Sequence, residues 1–188
     1  MKKLFIITLL FLVQSFPSLS MDCKTGFYDL VKRDGVRYKK FSDVPVTTKI
    51  TGLCQGNLKN GKIDGLWKHF YDNGQLLLKV NYSKGVKDGM YFSYHENGNL
   101  NIKGKYINGL ENGLWVTRDK YGKIEQKKNY KNGRSHGSFI SYWENGQLRQ
   151  KGNYKFSLKE GYWIGYDEKG KIIPDLTGNY IKGKKVSN

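Results

Sequence analysis

Two cysteines and three histidines in 188 residues leave little with which to build a metal site or a disulfide scaffold. His69, His95 and His136 lie at no metal-ligand spacing from one another or from a cysteine, and each holds a different place in the sequence pattern described below. Acidic residues are also scarce, 16 Asp and Glu against 33 Lys and Arg. Those present, such as Asp88, Glu111 and Glu160, make no carboxylate pair, and Ser135-His136 completes no nucleophile constellation. No glycine-rich loop opens a helix. A non-enzymatic protein without cofactor or metal is therefore expected.

Long apolar runs are lacking too, with one exception. Met1-Lys2-Lys3 precedes an apolar stretch from Leu4 to Val13, followed by polar residues to Ser20 with small Ser18 and Ser20 near the end. That is the layout of a secretory signal peptide over residues 1–20, too short to span a membrane. The mature chain is expected to begin near Met21, to carry no transmembrane helix, and to be exported to periplasm, cell envelope or medium.

In an exported chain the two cysteines, Cys23 and Cys54, are candidates for one disulfide. Lipid on Cys23 and two unrelated thiols are the alternatives. Losing Lys2 and Lys3 with the leader leaves 31 cations against 16 acids, a net charge of +15. Such charge favours solubility and attraction to anionic lipid, nucleic acid or acidic polymers. It says nothing of fold, and because the lysines are spread along the chain they also suit a solvated face.

What the chain has in quantity is glycine and aromatic rings, on a fixed step of 24 residues. Gly65, Gly89, Gly113, Gly137 and Gly161 are each followed two residues later by a ring, at Trp67, Tyr91, Trp115, Phe139 and Trp163. A second series, Gly74, Gly98, Gly122, Gly146 and Gly170, is followed by an aliphatic residue, and Tyr82, Tyr106, Tyr130 and Tyr154 close the units. A period of this length marks a repeat architecture.

Asn73-Gly74, Asn97-Gly98 and Asn145-Gly146 stand between runs rich in aromatic and aliphatic residues, which predicts β-hairpins closed by two-residue turns with positive φ at both positions. Tyr121-Gly122 and Lys169-Gly170 are weaker versions. A second turn at Lys84-Gly85, Asn108-Gly109 or Asn132-Gly133 leads to the next hairpin. With Asn73 and Gly74 at the tip, facing residues have numbers summing to 147: Tyr71 meets Leu76, His69 meets Leu78, Trp67 meets Val80 and Gly65 meets Tyr82. One repeat on, Tyr91 faces Gly104; three repeats on, Phe139 faces Gly152, each ring expected to cover its glycine.

Because side chains alternate along a strand, the two faces differ. One carries Trp67 and its equivalents. The other carries Lys79, Lys103, Lys127, Arg149 and Lys151 beside a line of rings, Phe70, Tyr94, Tyr142 and Tyr166, with Arg118 expected opposite Glu125. Neither face is apolar enough for a thick two-layer core. The fold expected is all-β, an extended single-layer antiparallel sheet of consecutive hairpins, open and solenoid-like. Residues 21–56 read as an amino-terminal cap with a hairpin near Arg33-Asp34-Gly35. Residues 57–188 read as the array and a carboxyl-terminal cap, where Pro174 interrupts a strand.

The units Gly65-Leu66-Trp67, Tyr71-Asp72-Asn73-Gly74-Gln75-Leu76, Asn81-Tyr82 and Lys87-Asp88 resemble the bacterial variant of the MORN repeat over about residues 57–186, and Tyr38 to Pro45 resembles the stretch preceding such arrays in the YwqK-type antitoxin family. The resemblance implies an extended hairpin sheet used for protein association, phospholipid contact in some members, and no catalytic residues. The antitoxin label implies a neutralised toxin as partner, which for an exported chain acts in the envelope.

The function expected is an exported scaffold for protein-protein association. Candidate contact residues are Phe70, Tyr94, Tyr142, Tyr166, Lys103, Lys127 and Arg149, since exposed rings anchor interfaces. The alternatives are peripheral binding to anionic lipid or polymer through the basic face, and antitoxin-like neutralisation. Interleaved rings and cations also suit nucleic acid. Export ranks that partner last.

Overall fold

The computed structural model describes residues 29–187. The signal-peptide reading of residues 1–20 and the Cys23 end of the expected disulfide lie outside the described residues. Strands β1 (Leu30–Arg33) and β2 (Val36–Lys39) form a separate hairpin, and all other strands form one open thirteen-stranded antiparallel sheet whose strand order is the chain order. These are β3 (Thr48–Ile50), β4 (Cys54–Lys59), β5 (Lys62–Phe70), β6 (Leu76–Ser83), β7 (Val86–Tyr94) and β8 (Leu100–Ile107), then β9 (Leu110–Arg118), β10 (Ile124–Lys131), β11 (Arg134–Tyr142), β12 (Leu148–Lys155), β13 (Leu158–Gly165), β14 (Gly178–Ile181) and β15 (Lys184–Ser187). The expected single layer of consecutive hairpins is what the chain forms. At Pro174 the pattern breaks into a short 3₁₀ turn, Pro174–Leu176, before β14 resumes it.

The register holds along most of the first hairpin. Gly65 faces Tyr82, Trp67 faces Val80 and His69 faces Leu78, but Leu76 pairs with Phe70 rather than with Tyr71. The cause is the turn. The Gly74 amide donates to the Tyr71 carbonyl at 2.9 Å and the Tyr71 amide to the Gln75 carbonyl at 2.8 Å, closing a three-residue loop in which Gly74 alone has positive φ, 83°. Asn73 serves differently from expectation: its Oδ1 accepts the Gln75 amide at 2.9 Å, as Asn97 and Asn145 do for Asn99 and Gln147. Where that asparagine is replaced, Asp119 and Asp167 at the loop entrance accept the same amides, from Lys123 and Lys171. The two-residue turn with positive φ at both positions is the other one, at Lys84-Gly85 (50° and 88°), Asn108-Gly109 and Asn132-Gly133.

At the equivalent turn of the fourth full hairpin stand Phe156 and Ser157, at φ 51° and 70°. A residue with a Cβ is strained in this region by about 1 kcal/mol. Ser157 offsets part of this by accepting the Ser135 amide through Oγ at 3.2 Å. Ser157→Gly is expected to raise stability by about 0.5–1 kcal/mol, read as a higher melting temperature. An unchanged or lower melting temperature would mean that the lost hydrogen bond outweighs the relieved strain.

The first glycine series is not at turns. Between Val80↔Tyr91 and Tyr82↔Lys87 two residues on β6 span four on β7, a bulge that contains Gly89 at φ 123°. Gly65, Gly113 and Gly161 take φ of 81°, 73° and 71° at the same place. The bulge bends each first strand and sets its ring against the neighbouring hairpin. Tyr91 pairs with Gly104 and Phe139 with Gly152, as the numbering predicts. The ring that covers each glycine is nevertheless the one on the other side: a Cβ on Gly104 would lie 2.2 Å from Trp115, one on Gly152 2.2 Å from Trp163, and one on Gly56 2.1 Å from Trp67. In the intervening repeats Val80 faces Tyr91 and Lys128 faces Phe139. Glycine therefore stands wherever the following ring is tryptophan, and a larger side chain wherever it is smaller, so packing alternates over 48 residues.

Burial follows the same rings. Val46, Ile50, Cys54, Leu58, Trp67 and Val80 form the amino-terminal cluster, with Leu30 of the β1–β2 hairpin against it; Phe139, Trp163 and Tyr180 form the other. Tyr91 stacks on Trp115 and Phe139 on Trp163, both at 5.6 Å and 29°. Burial raises the hydroxyl pKa of Tyr106 and Tyr130, the latter to about 12, and lowers that of the Lys87, Lys128 and Lys159 ammonium groups packed over such rings.

In the amino-terminal cluster the Trp67 indole N–H donates to His69 Nε2 at 2.8 Å, so the imidazole proton sits on Nδ1, 3.3 Å from Cys54 Sγ. Burial first, and then the charge of Lys87, hold the His69 pKa below 6.5. A protonated ring has no lone pair for Trp67. Below about pH 6.5 the unfolded chain takes up a proton that the folded chain refuses, so stability is full above that pH and falls as pH drops toward the folded value. Melting temperatures between pH 8 and 5 are expected to fall less for His69→Gln than for the native chain. Parallel curves would count against this role.

Candidate partner-binding face

The face opposite the buried rings is built by strand alternation and by the register between hairpins. Lys79 on β6 pairs with Phe92 on β7, which pairs with Lys103 on β8, which pairs with Val116 on β9. The same succession continues through Lys127 on β10 and Ile140 on β11 to Lys151 on β12 and Ile164 on β13. One lysine from every second strand therefore lies in a single row, separated by one apolar residue each. Strands lie about 4.8 Å apart, so successive lysines are about 9.6 Å apart along the array. Lys79 and Lys103 stand over the Phe92 ring at 4.8 and 5.9 Å, a cation-π arrangement that steadies both ammonium groups.

At the amino-terminal end of the row Lys68 occupies the apolar position and faces Lys79 directly. Like charges so placed are unfavourable. Nor do acids compensate them, because among the described residues the one salt bridge joins Arg33 to Asp43, on the amino-terminal cap. The expected Arg118–Glu125 pair does not form: the turn shift sets Arg118 opposite Ile124, and its guanidinium donates to the Gly122 carbonyl at 3.1 Å.

Two residues further along the first strands come the expected rings, Phe70, Tyr94 and Tyr142, paired with Leu76, Leu100 and Leu148, and Tyr166, bridged to Ile172. All four are half-buried. Tyr94, Tyr166 and, in the third repeat, Arg118 are tied to the preceding repeat from its turn. Tyr71 Oη donates to the Tyr94 carbonyl at 2.8 Å, His95 Nε2 to the Arg118 carbonyl at 2.9 Å, and Trp143 Nε1 to the Tyr166 carbonyl at 2.9 Å. Each bond ties one repeat to the next.

Of the cations read from the sequence, Lys103 and Lys127 lie in the row. Arg149 does not join it: it stands in the shift between Tyr142↔Leu148 and Ser141↔Gln150, with its guanidinium 4.5 Å over the Trp143 ring. Lys79 and Lys151 complete the row, and the step of 24 was the signal that singles them out. A flanking strip of exposed apolar side chains, Leu66, Met90, Leu114 and Tyr162, occupies the far side of the lysines. The face can thus offer rings, aliphatic groups and spaced ammonium groups together. Among the described residues no three His, Cys, Asp or Glu side chains come together to hold a metal, and no helix is long and apolar enough to cross a membrane.

No curated protein matches the chain. Residues 63–84, 87–108 and 135–156 match the MORN repeat variant. These segments are the β5–β6, β7–β8 and β11–β12 hairpins, and the unmatched β9–β10 hairpin between them keeps the same pairing despite Tyr121 in place of asparagine at its turn. Three of the hairpins thus match a MORN repeat variant, a kind of repeat generally associated with binding to proteins or membranes.

Proposed function

We propose that the array is an exported, non-enzymatic scaffold that binds a protein partner on the face bearing Phe70, Tyr94, Tyr142 and Tyr166. One observation carries this reading: half-buried rings hold the same position in four of the five repeats, with Arg118 in the third, beside lysines that have no acidic partners in the described chain. Half-buried rings on a paired sheet cost little entropy to immobilise on binding, which suits an interface anchor. Tyr94→Ala combined with Tyr142→Ala is expected to abolish capture of the partner from an envelope extract while the protein still melts cooperatively. Capture that is unchanged by the double substitution sinks the reading.

The lysine row favours a second reading, peripheral attachment to anionic envelope lipid or polymer. Sedimentation with anionic vesicles should then fall steeply with salt. Equal sedimentation with neutral vesicles argues against it. Neutralisation of a toxin acting in the envelope is a narrower form of the first reading, and it makes the captured partner a toxin.

A further inference from the structure

We infer that the lysine row is a ruler for an extended acidic peptide carrying a carboxylate at every third residue. This rests on the protein-binding reading above and names the chemistry of the partner segment. The row presents Lys79, Lys103, Lys127 and Lys151 at a repeat of two strand spacings, about 9.6 Å. A polyproline II segment rises about 3.1 Å per residue with three residues per turn, so residues i, i+3, i+6 and i+9 project from one side about 9.3 Å apart. The two repeats agree to within a few per cent, close enough for flexible lysine side chains to take up the difference over three steps.

Charge supports the same occupant. Lys68 faces Lys79 across β5 and β6, and Glu125, two residues along the strand from Lys127, forms no ion pair with it. A peptide carboxylate at the first step would separate two cations that otherwise only repel. Of the peptide's other two residues per turn, one can lie over the ring line beside the lysines, which suits proline or aliphatic side chains, and the other faces solvent. An exposed ion pair alone contributes little, so recognition depends on the register of all four.

The test uses the purified protein and two labelled twelve-residue peptides of equal composition, one with Glu-Pro-Pro repeated and one with its four glutamates grouped at one end, read by fluorescence anisotropy. The repeated peptide is expected to bind at least tenfold more tightly than the grouped one. Each of Lys103→Gln and Lys127→Gln should weaken it about two- to fivefold, and the four lysine substitutions together should erase the preference, with melting temperature unchanged. Equal affinity for both peptides, or binding of neither, overturns the inference. So does binding of anionic vesicles or a poly-dT strand with the same lysine dependence when neither peptide binds. Ring-dependent capture of a protein partner that persists while both peptides fail would leave the protein-binding reading standing and remove only the ruler.

Discussion

Trp163→Ala is expected to lower stability by about 3–5 kcal/mol, the range for removing a fully buried large side chain. Trp163 has no exposed surface. It stacks on Phe139, meets the edges of Tyr154 at 4.8 Å and Tyr180 at 6.4 Å, and covers Gly152, which has no side chain to fill the space left behind. Its indole N–H donates to the Asn153 carbonyl at 3.0 Å, and truncation leaves that carbonyl with a vacant site. In a repeat array each hairpin is held mainly by its neighbours, so the loss should be local before it is global. Hydrogen exchange is the sharper measurement: amides of β13 to β15 should exchange quickly while those of β5 to β7 keep their protection. Uniform loss along the array, or a change below about 1 kcal/mol, would contradict this picture of neighbour-by-neighbour stabilisation.

Gly104→Val should cost about 3 kcal/mol, toward the upper end for overpacking, because even its Cβ would sit 2.2 to 2.6 Å from three Trp115 ring atoms. The backbone there is not in the left-handed region, so the cost is steric. Trp115→Tyr in the same chain is expected to recover most of it. That pair of residues already exists one repeat earlier, where Val80 faces Tyr91. The indole nitrogen of Trp115 is also buried without a hydrogen-bond partner, whereas those of Trp67 and Trp163 have one, so its replacement forfeits less than theirs would. A double-mutant cycle measures the coupling directly. Additive losses in the double variant would mean that ring size and the residue beneath are not matched.

The step of 24 made the hairpins, their order and the pairing of Trp67 with Val80 readable from the chain alone, because alternation and the turn position fix which residues face each other within a hairpin. Between hairpins it was less informative. Glycine marks a turn, a bulge or a space under a ring with the same letter, and only the backbone distinguishes Gly74, Gly89 and Gly104. Asn73-Gly74 looks like a two-residue turn for the same reason: asparagine suits both positive φ and a side-chain acceptor, and here it acts as the acceptor. The candidate face was half readable. Its rings and several of its lysines follow from alternation, but their alignment into one row depends on the two-residue bulges that offset each hairpin from the next. Those bulges leave no mark in the hydrophobic pattern beyond a glycine.

The alternation of Gly56, Val80, Gly104, Lys128 and Gly152 beneath their rings also bears on how such an array changes length. Loss or duplication of one 24-residue unit keeps the strand-to-strand pairing pattern, yet it sets two tryptophan-bearing hairpins, or two of the smaller-ringed kind, side by side. Loss or duplication of 48 residues keeps large rings next to small ones. The unit by which this sheet grows or shrinks without repacking is therefore a pair of hairpins, even though a single hairpin is what its sequence repeats.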